Sequence, residues 1–330
     1  MNNLIDRFSK GALKNTTAIL FVVLFVVFGI LTPRFFSARN FEIILSNASY
    51  IGIIAVGMTF VLLTGGIDLS VGSVMYLSAV VIGLIVNQAD LPVGLGIAVG
   101  LMVGLAVGAF NALIITRFKV VPFIATMVSM IICRGLGLLI TKSIQVDFDN
   151  EITMMATVRV GGLVQLNIFI YLAVFLAAAL FLGRTATGRR IYAVGNDVEA
   201  AKKAGLNTGN IIASTYMISG VCAALGGFVS IAQLGRVSAA FGEGVEFDAI
   251  AASVLGGASL FGGVGMIFPG TVLGTIMIQM IQSGLVFSNV DLYIQPLVMA
   301  FIIFFAVFID SFRNIQLKKL ERRNIMKVES

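Results

Sequence analysis

About ten apolar runs succeed one another along this chain, most of them near the ~20 residues a helix needs to cross a hydrocarbon core. They fall at 18–31, 44–63, 71–86, 93–115, 122–140, 167–182, 211–231, 247–255, 267–281 and 292–309. No water is available in a bilayer core to satisfy backbone groups, so spanning segments must be helices or closed barrels. Runs of this length decide for helices. The expected fold is all-α, a polytopic integral membrane protein with broken or re-entrant helices. The run 247–255 is too short to cross alone and must borrow from the glycines beyond it or re-enter. Only 12 % of residues are charged, against about a quarter in soluble domains, which leaves no room for a large soluble domain.

Two runs are parted by Gly65-Gly66-Ile67-Asp68-Leu69-Ser70-Val71-Gly72-Ser73. A carboxylate between apolar segments is costly in hydrocarbon, so Asp68 must face protein or a wet cavity. The glycines let the backbone leave helical geometry, and Asp68, Ser70 and Ser73 can satisfy the groups thus freed. In an Asx-type turn Asp68 reaches the amides of Ser70 and Val71; the alternative is a pairing with Arg134 across the bundle. A Gly-rich turn between two ordinary spans at a membrane face would account for the same residues. A second stretch, Gly256-Gly257-Ala258-Ser259-Leu260-Phe261-Gly262-Gly263, repeats the G-G-x-[DS]-L-x-x-G pattern of residues 65–72. Duplicated interruptions in the two halves of a chain point to a transporter with an internal repeat. Gly65, Gly66, Asp68, Ser70, Gly72, Ser73, Gly256, Gly257 and Ser259 are therefore candidate pathway residues. Arg134, inside the fifth run, joins them as a cation that snorkels, pairs structurally or lines a polar cavity. The spacing of Gly96, Gly100, Gly104 and Gly108 allows close helix packing.

Basic residues gather wherever the runs, counted in pairs, return to the starting side. Arg7, Lys10 and Lys14 precede the first run, and Arg117 and Lys119 follow the fourth. Arg184, Arg189, Arg190, Lys202 and Lys203 follow the sixth; Arg313, Lys318, Lys319, Arg322, Arg323 and Lys327 follow the last. The positive-inside rule makes these stretches cytoplasmic. It gives a cytoplasmic amino tail 1–17, a membrane domain 18–309 with a cytoplasmic loop 183–207, and a basic cytoplasmic tail 310–330, in the plasma or inner membrane. The stretches 141–165 and 233–246 then lie outside. Thr32-Pro33-Arg34, not a small-x-small cleavage site, follows the first run, which therefore reads as an uncleaved span. Topology thus accounts for the net charge of +6 without nucleic acid.

The chain has no histidine and no G-x-x-x-x-G-K-[ST] loop, and Cys133 and Cys222 both sit in apolar runs. No catalytic constellation, metal site or cofactor site stands out, and an enzyme reading is poor. In the loop Gly188-Arg189-Arg190-Ile191-Tyr192-Ala193-Val194-Gly195-Asn196-Asp197-Val198-Glu199-Ala200-Ala201-Lys202-Lys203-Ala204-Gly205, Asp197 can cap a short helix over 198–204. Gly205 can close it in the left-handed position.

These stretches, with Arg134-Gly135, resemble the permease subunits of ribose/galactose/xylose-type sugar importers of the ATP-binding-cassette class, over nearly the whole chain. Within the loop, Glu199-Ala200-Ala201 and Gly205 match the E-A-A-x-x-x-G element by which such permeases dock onto an ATPase. The I-x-L-P continuation of the wider consensus is absent after Gly205. The resemblance implies docking through Arg190, Gly195, Asn196, Glu199, Ala200, Ala201 and Gly205. It also implies a second permease chain (homo- or heterodimer), cytoplasmic ATPase subunits, an extracytoplasmic sugar-binding protein and surrounding lipid. The implied function is import of a monosaccharide, with ATP hydrolysed on another polypeptide; relatives of this class carry pentoses, hexoses, autoinducer-type sugars or nucleosides. The rival readings are an ion-coupled secondary transporter, with Asp68 as coupling acid, and a passive channel. Neither needs an ATPase-facing helix.

Overall fold

The computed structural model describes residues 16–31, 35–148, 150–162, 164–301, 304, 305 and 308. Most of the amino tail, Thr32-Pro33-Arg34 and the basic tail 310–330 lie outside the described residues. Helices α1 (Thr16–Leu31), α2 (Ala38–Leu63), α3 (Val71–Gly83), α4 (Val93–Arg117) and α5 (Pro122–Thr141) come first. A short α6 (Asn150–Thr157) precedes α7 (Leu166–Arg184), α8 (Ala186–Asn196), α9 (Val198–Lys203) and α10 (Thr208–Leu234). Then follow α11 (Val245–Leu255) and α12 (Val272–Phe287). A π-helical turn, Leu84–Gln88, prolongs α3, and another, Ile267–Thr271, leads into α12. Two short antiparallel ribbons complete the described structure: β1 (Val146–Asp147) with β4 (Arg236–Val237), and β2 (Arg159–Val160) with β3 (Val164–Gln165).

The helix ends follow local chemistry. Ser37 Oγ accepts from the Asn40 amide at the start of α2, Pro122 opens α5, and Gly235 closes α10 at φ +69°. Among the described residues, seven helices are long and apolar enough to cross a bilayer: α2, α3 with its π turn, α4, α5, α7, α10, and α12 with its π turn. The remaining expected runs are the shorter α1, the eleven-residue α11, and a last run whose residues 295–301 are helical. The protein is a multi-pass helical membrane protein.

Helices α2, α3 and α10 form the buried centre, while α4, α5 and α7 turn apolar side chains such as Met102, Ile131, Leu139 and Leu176 outward. In a membrane these outward faces meet lipid, so close backbone approach must hold the helices together. At Gly104 an added Cβ would fall 2.3 Å from the Gly220 carbonyl oxygen, and at Gly220 one would fall 2.1 Å from that of Gly104. Gly108 is seated likewise on Tyr216. The small-residue stripe of α4 thus serves two contacts, Gly104 and Gly108 meeting α10 while Gly96 and Gly100 pack on Ile82 and Val86 of α3 and its π turn.

Arg117, Lys119, Arg184, Arg189, Arg190, Lys202 and Lys203 flank helix ends that all lie at one end of the bundle, called the basic end below. The ribbon of β1 and β4 lies at the opposite end, beside Gly83 and Asn87 of the far part of α3.

Candidate translocation site

The break between α2 and α3 begins where Gly65, at φ +73°, turns the chain out of the helix. Gly66 passes directly beneath Tyr216, where any Cβ would fall 2.3 Å from the phenol oxygen. Asp68, 1 % exposed, then folds back on its own backbone. Its Oδ1 accepts from the Ser70 amide (3.0 Å) and the Ser70 hydroxyl (2.6 Å), and its Oδ2 accepts from Ser219 Oγ on α10 (2.8 Å). Asn111 of α4 donates to Ser70 Oγ (3.0 Å) and accepts from Ser129 of α5. Thr126 Oγ1 accepts from the Leu69 amide at 3.1 Å. A buried carboxylate costs least when hydrogen bonds replace its water. Here Ser70 and Ser219 supply them, and Asn111 and Ser129 hold Ser70 in turn, with no cation among the described residues. Arg134 is engaged elsewhere: its Nη1 donates to the carbonyls of Ala239 (3.1 Å) and Phe241 (2.7 Å), and its guanidinium lies 4.6 Å from the Tyr76 ring centre. Asp68 therefore faces protein and has the Asx-type turn through the Ser70 amide but not that of Val71, and without Arg134.

The second break repeats the turn chemistry of the first. Ser259 Oγ accepts from the amide of Phe261, two residues on, as Asp68 does from Ser70. Gly257, at φ +93°, has the same need for glycine as Gly65. Gly256 lies against Gly270, with 2.6 Å from its added Cβ to the Gly270 carbonyl. The two breaks also meet. The Gly263 amide donates to the Leu63 carbonyl at 3.0 Å, and a Cβ on Gly262 would fall 3.0 Å from the Gly65 amide nitrogen.

The basic-end loop closes on this junction. Thr185 caps α8 through the Gly188 amide, and the period Gly188, Ile191, Val194 gives it one buried face. Gly195, at its end, sits so close that a Cβ would fall 1.8 Å from the Leu63 carbonyl and 2.6 Å from the Gly263 amide nitrogen. Tyr192 donates to the Gly265 carbonyl (2.8 Å), and burial pushes its phenol above the ordinary value, keeping the proton in place. Asn196 packs on Gly263. Asp197 then caps α9 through the Ala200 amide (2.9 Å), and Gly205 ends it at φ +81°. Glu199 and Ala200 are exposed, Ala201 is buried, and Arg190 borders a cleft of about 430 Å3 with Gly205 and Asn207. The named loop residues thus divide: Gly195 and Asn196 touch the breaks, while Glu199, Ala200 and Arg190 face outward. Sequence reasoning missed α8 as a helix; its threonine cap and three-residue apolar period were the available signal.

It also missed a third irregular segment. Residues 238–244, expected in an outside turn, descend between the helices, with Gly242 and Gly244 at φ +78° and +81°. Gly242 meets Gly72 backbone to backbone, an added Cβ lying 2.4 Å from the Gly72 oxygen. Beside this contact a cleft of about 440 Å3 is lined by Ser73, Arg134, Glu243 and Glu246. Irregular backbone at this depth is tolerated where protein or a cavity covers it. Ser73 and Arg134 therefore share a cavity, whereas Asp68 and Ser70 are packed behind it. Among the described residues, no group of three or more acidic, cysteine or histidine side chains could hold a metal.

The profile of the family described as "Branched-chain amino acid transport system / permease component" matches residues 40–308. The ribose import permease protein RbsC of Haemophilus influenzae is 34 % identical over 318 residues, covering 94 % of this chain and 98 % of its own. That of Bacillus subtilis is 38 % identical, covering 87 % and 89 %. The autoinducer 2 import system permease protein LsrC of Yersinia enterocolitica is 34 % identical, covering 85 % of this chain and 77 % of its own. No solved structure matches the chain.

Proposed function

This chain belongs to the family of branched-chain amino acid transport system permease components, and on that premise we propose that it is the membrane subunit of an ATP-binding-cassette importer that carries a ribose-like monosaccharide into the cell. ATP is hydrolysed on separate cytoplasmic subunits, and an extracytoplasmic binding protein delivers the sugar. The basic end is the cytoplasmic one, by the positive-inside rule. Loop 183–207 then meets the ATPases, both termini lie on that side, and 18–309 is the membrane domain that pairs with a second permease chain.

The observation that carries this reading is the seating of α8 on both helix breaks at once, through Gly195 on Leu63 and Gly263. A partner pushing on this loop acts directly on the two interruptions, a connection that neither a channel nor an ion-coupled carrier requires. The ribose permeases, similar along nearly their whole length, support a sugar over an amino acid as cargo.

The test is uptake of labelled D-ribose into proteoliposomes holding this chain with its ATPase and binding protein. Accumulation should need internal ATP and should ignore proton and sodium gradients. Accumulation driven by either gradient without ATP would give the reading to the secondary transporter, with Asp68 as its acid.

A further inference from the structure

A cleft of about 820 Å3 lies between α2, α11, α12 and the helix at 295–301, bordered by Glu243 and Gly244 of segment 238–244. A chain of polar side chains runs along its wall. Gln279 donates to Gln282 Oε1 (2.9 Å), and Gln282 donates to Asp248 Oδ2 (3.2 Å). Gln279 is 3 % exposed, yet its carbonyl oxygen has no hydrogen-bond partner among the described residues. Opposite are Asn47 and Glu243, both exposed, and Phe247 presents a 59 % exposed ring. Among the described residues, no Lys or Arg lines the cleft.

We propose that this cleft is a transient station for an uncharged polyhydroxylated solute, held by Gln279, Gln282 and Asp248. Hydroxyl groups both donate and accept, and the wall offers both: free amide hydrogens, a free amide carbonyl and a carboxylate. The Phe247 ring offers an apolar surface to the C–H face of a sugar. Two carboxylates, and no cation among the described lining residues, repel a phosphorylated or acidic solute, so the station also rejects metabolites of the wrong charge. Its volume suits a small ligand, within the roughly 300–1,000 Å3 of ordinary ligand sites. Glu243 borders both this cleft and the one beside Ser73, so the two clefts adjoin at segment 238–244. The inference rests on the reading of the chain as an importer permease.

The test places a reporter on the wall that makes no polar contact: Ile43→Cys, which lines the cleft and is 43 % exposed. Its labelling by a small cationic methanethiosulfonate is followed in membranes containing the full chain, with the wild-type chain as background. D-Ribose, D-xylose and D-galactose are the probes, with D-ribose 5-phosphate as the charged comparison. At least one neutral sugar should slow labelling about fivefold, the protection expected at about four times the dissociation constant. D-Ribose 5-phosphate should not protect. Adding Gln279→Leu or Gln282→Met should abolish protection while leaving the unprotected rate unchanged, a rate that also reports an intact cleft. Protection by none of the sugars, equal protection by the phosphate, or no labelling of Ile43→Cys at all would each overturn the station. If the intact transporter imports D-ribose while protection is absent, the station alone falls. If it imports no monosaccharide, the importer reading falls and takes the station with it.

Discussion

Asp68 makes three hydrogen bonds, two to Ser70 and one to Ser219, and every one of them asks only for an acceptor. An asparagine can keep the Oδ1 bonds to Ser70 and turn its amide toward Ser219 Oγ, since a hydroxyl also accepts. Leucine keeps none. Asp68→Asn should therefore retain substantial sugar uptake per inserted molecule, whereas Asp68→Leu should lose it, with a folding defect of about 1–3 kcal/mol. Uptake normalised to inserted protein, with thermal unfolding in detergent, separates the two; equal loss in both at equal abundance would show that the charge itself is needed. The local half of this arrangement was legible in the sequence, because an Asx turn is made by residues two apart. The other half was not. Ser219, Asn111, Ser129 and Thr126 are small polar residues on apolar helices, and nothing in their spacing along the chain says that Ser219 reaches the carboxylate while the others brace Leu69 and Ser70 beside it.

At the scale of the element, α9 is set by its own ends: the Asp197 cap, six residues of helix, and Gly205 in the left-handed region. Such signals are local, and the sequence carries them openly. The same was true of the long apolar helices, whose lengths the hydrocarbon thickness fixes. Segment 238–244 was illegible for the opposite reason. Its glycines, serine and acid read as an exterior turn, and only the Gly72 contact and the two Arg134 hydrogen bonds draw it inward. For the loop, Glu199→Arg reverses an exposed charge on α9. Gly205→Glu forces a side chain into the left-handed region at a cost of about 1–2 kcal/mol, with open space around the new Cβ. Both variants should insert normally but lose coupling between ATP hydrolysis and uptake. Co-purification of the ATPase at wild-type yield, together with normal transport, would remove α9 from the contact.

Across the whole molecule, the two ends of the bundle differ in chemistry, one carrying the basic loops and the other the short ribbons. Ser238 and Glu199, both exposed, mark these ends. In intact cells Ser238→Cys should react with an impermeant thiol reagent, and Glu199→Cys should react only after lysis; the reverse pattern would invert the topology. At the basic end lies the glycine junction of α8 with the two breaks. Machines that transmit a push through side chains lose part of each stroke, because rotamers yield before backbones do. Where Gly195 rests on the Leu63 carbonyl there is no side chain to yield. A displacement of α8 at Gly195 meets the backbone of Leu63 and Gly263 directly, as in a gear train cut with little backlash. On the proposed docking of loop 183–207, a shift of α8 much smaller than the width of a side chain should already be felt at the Leu63 carbonyl.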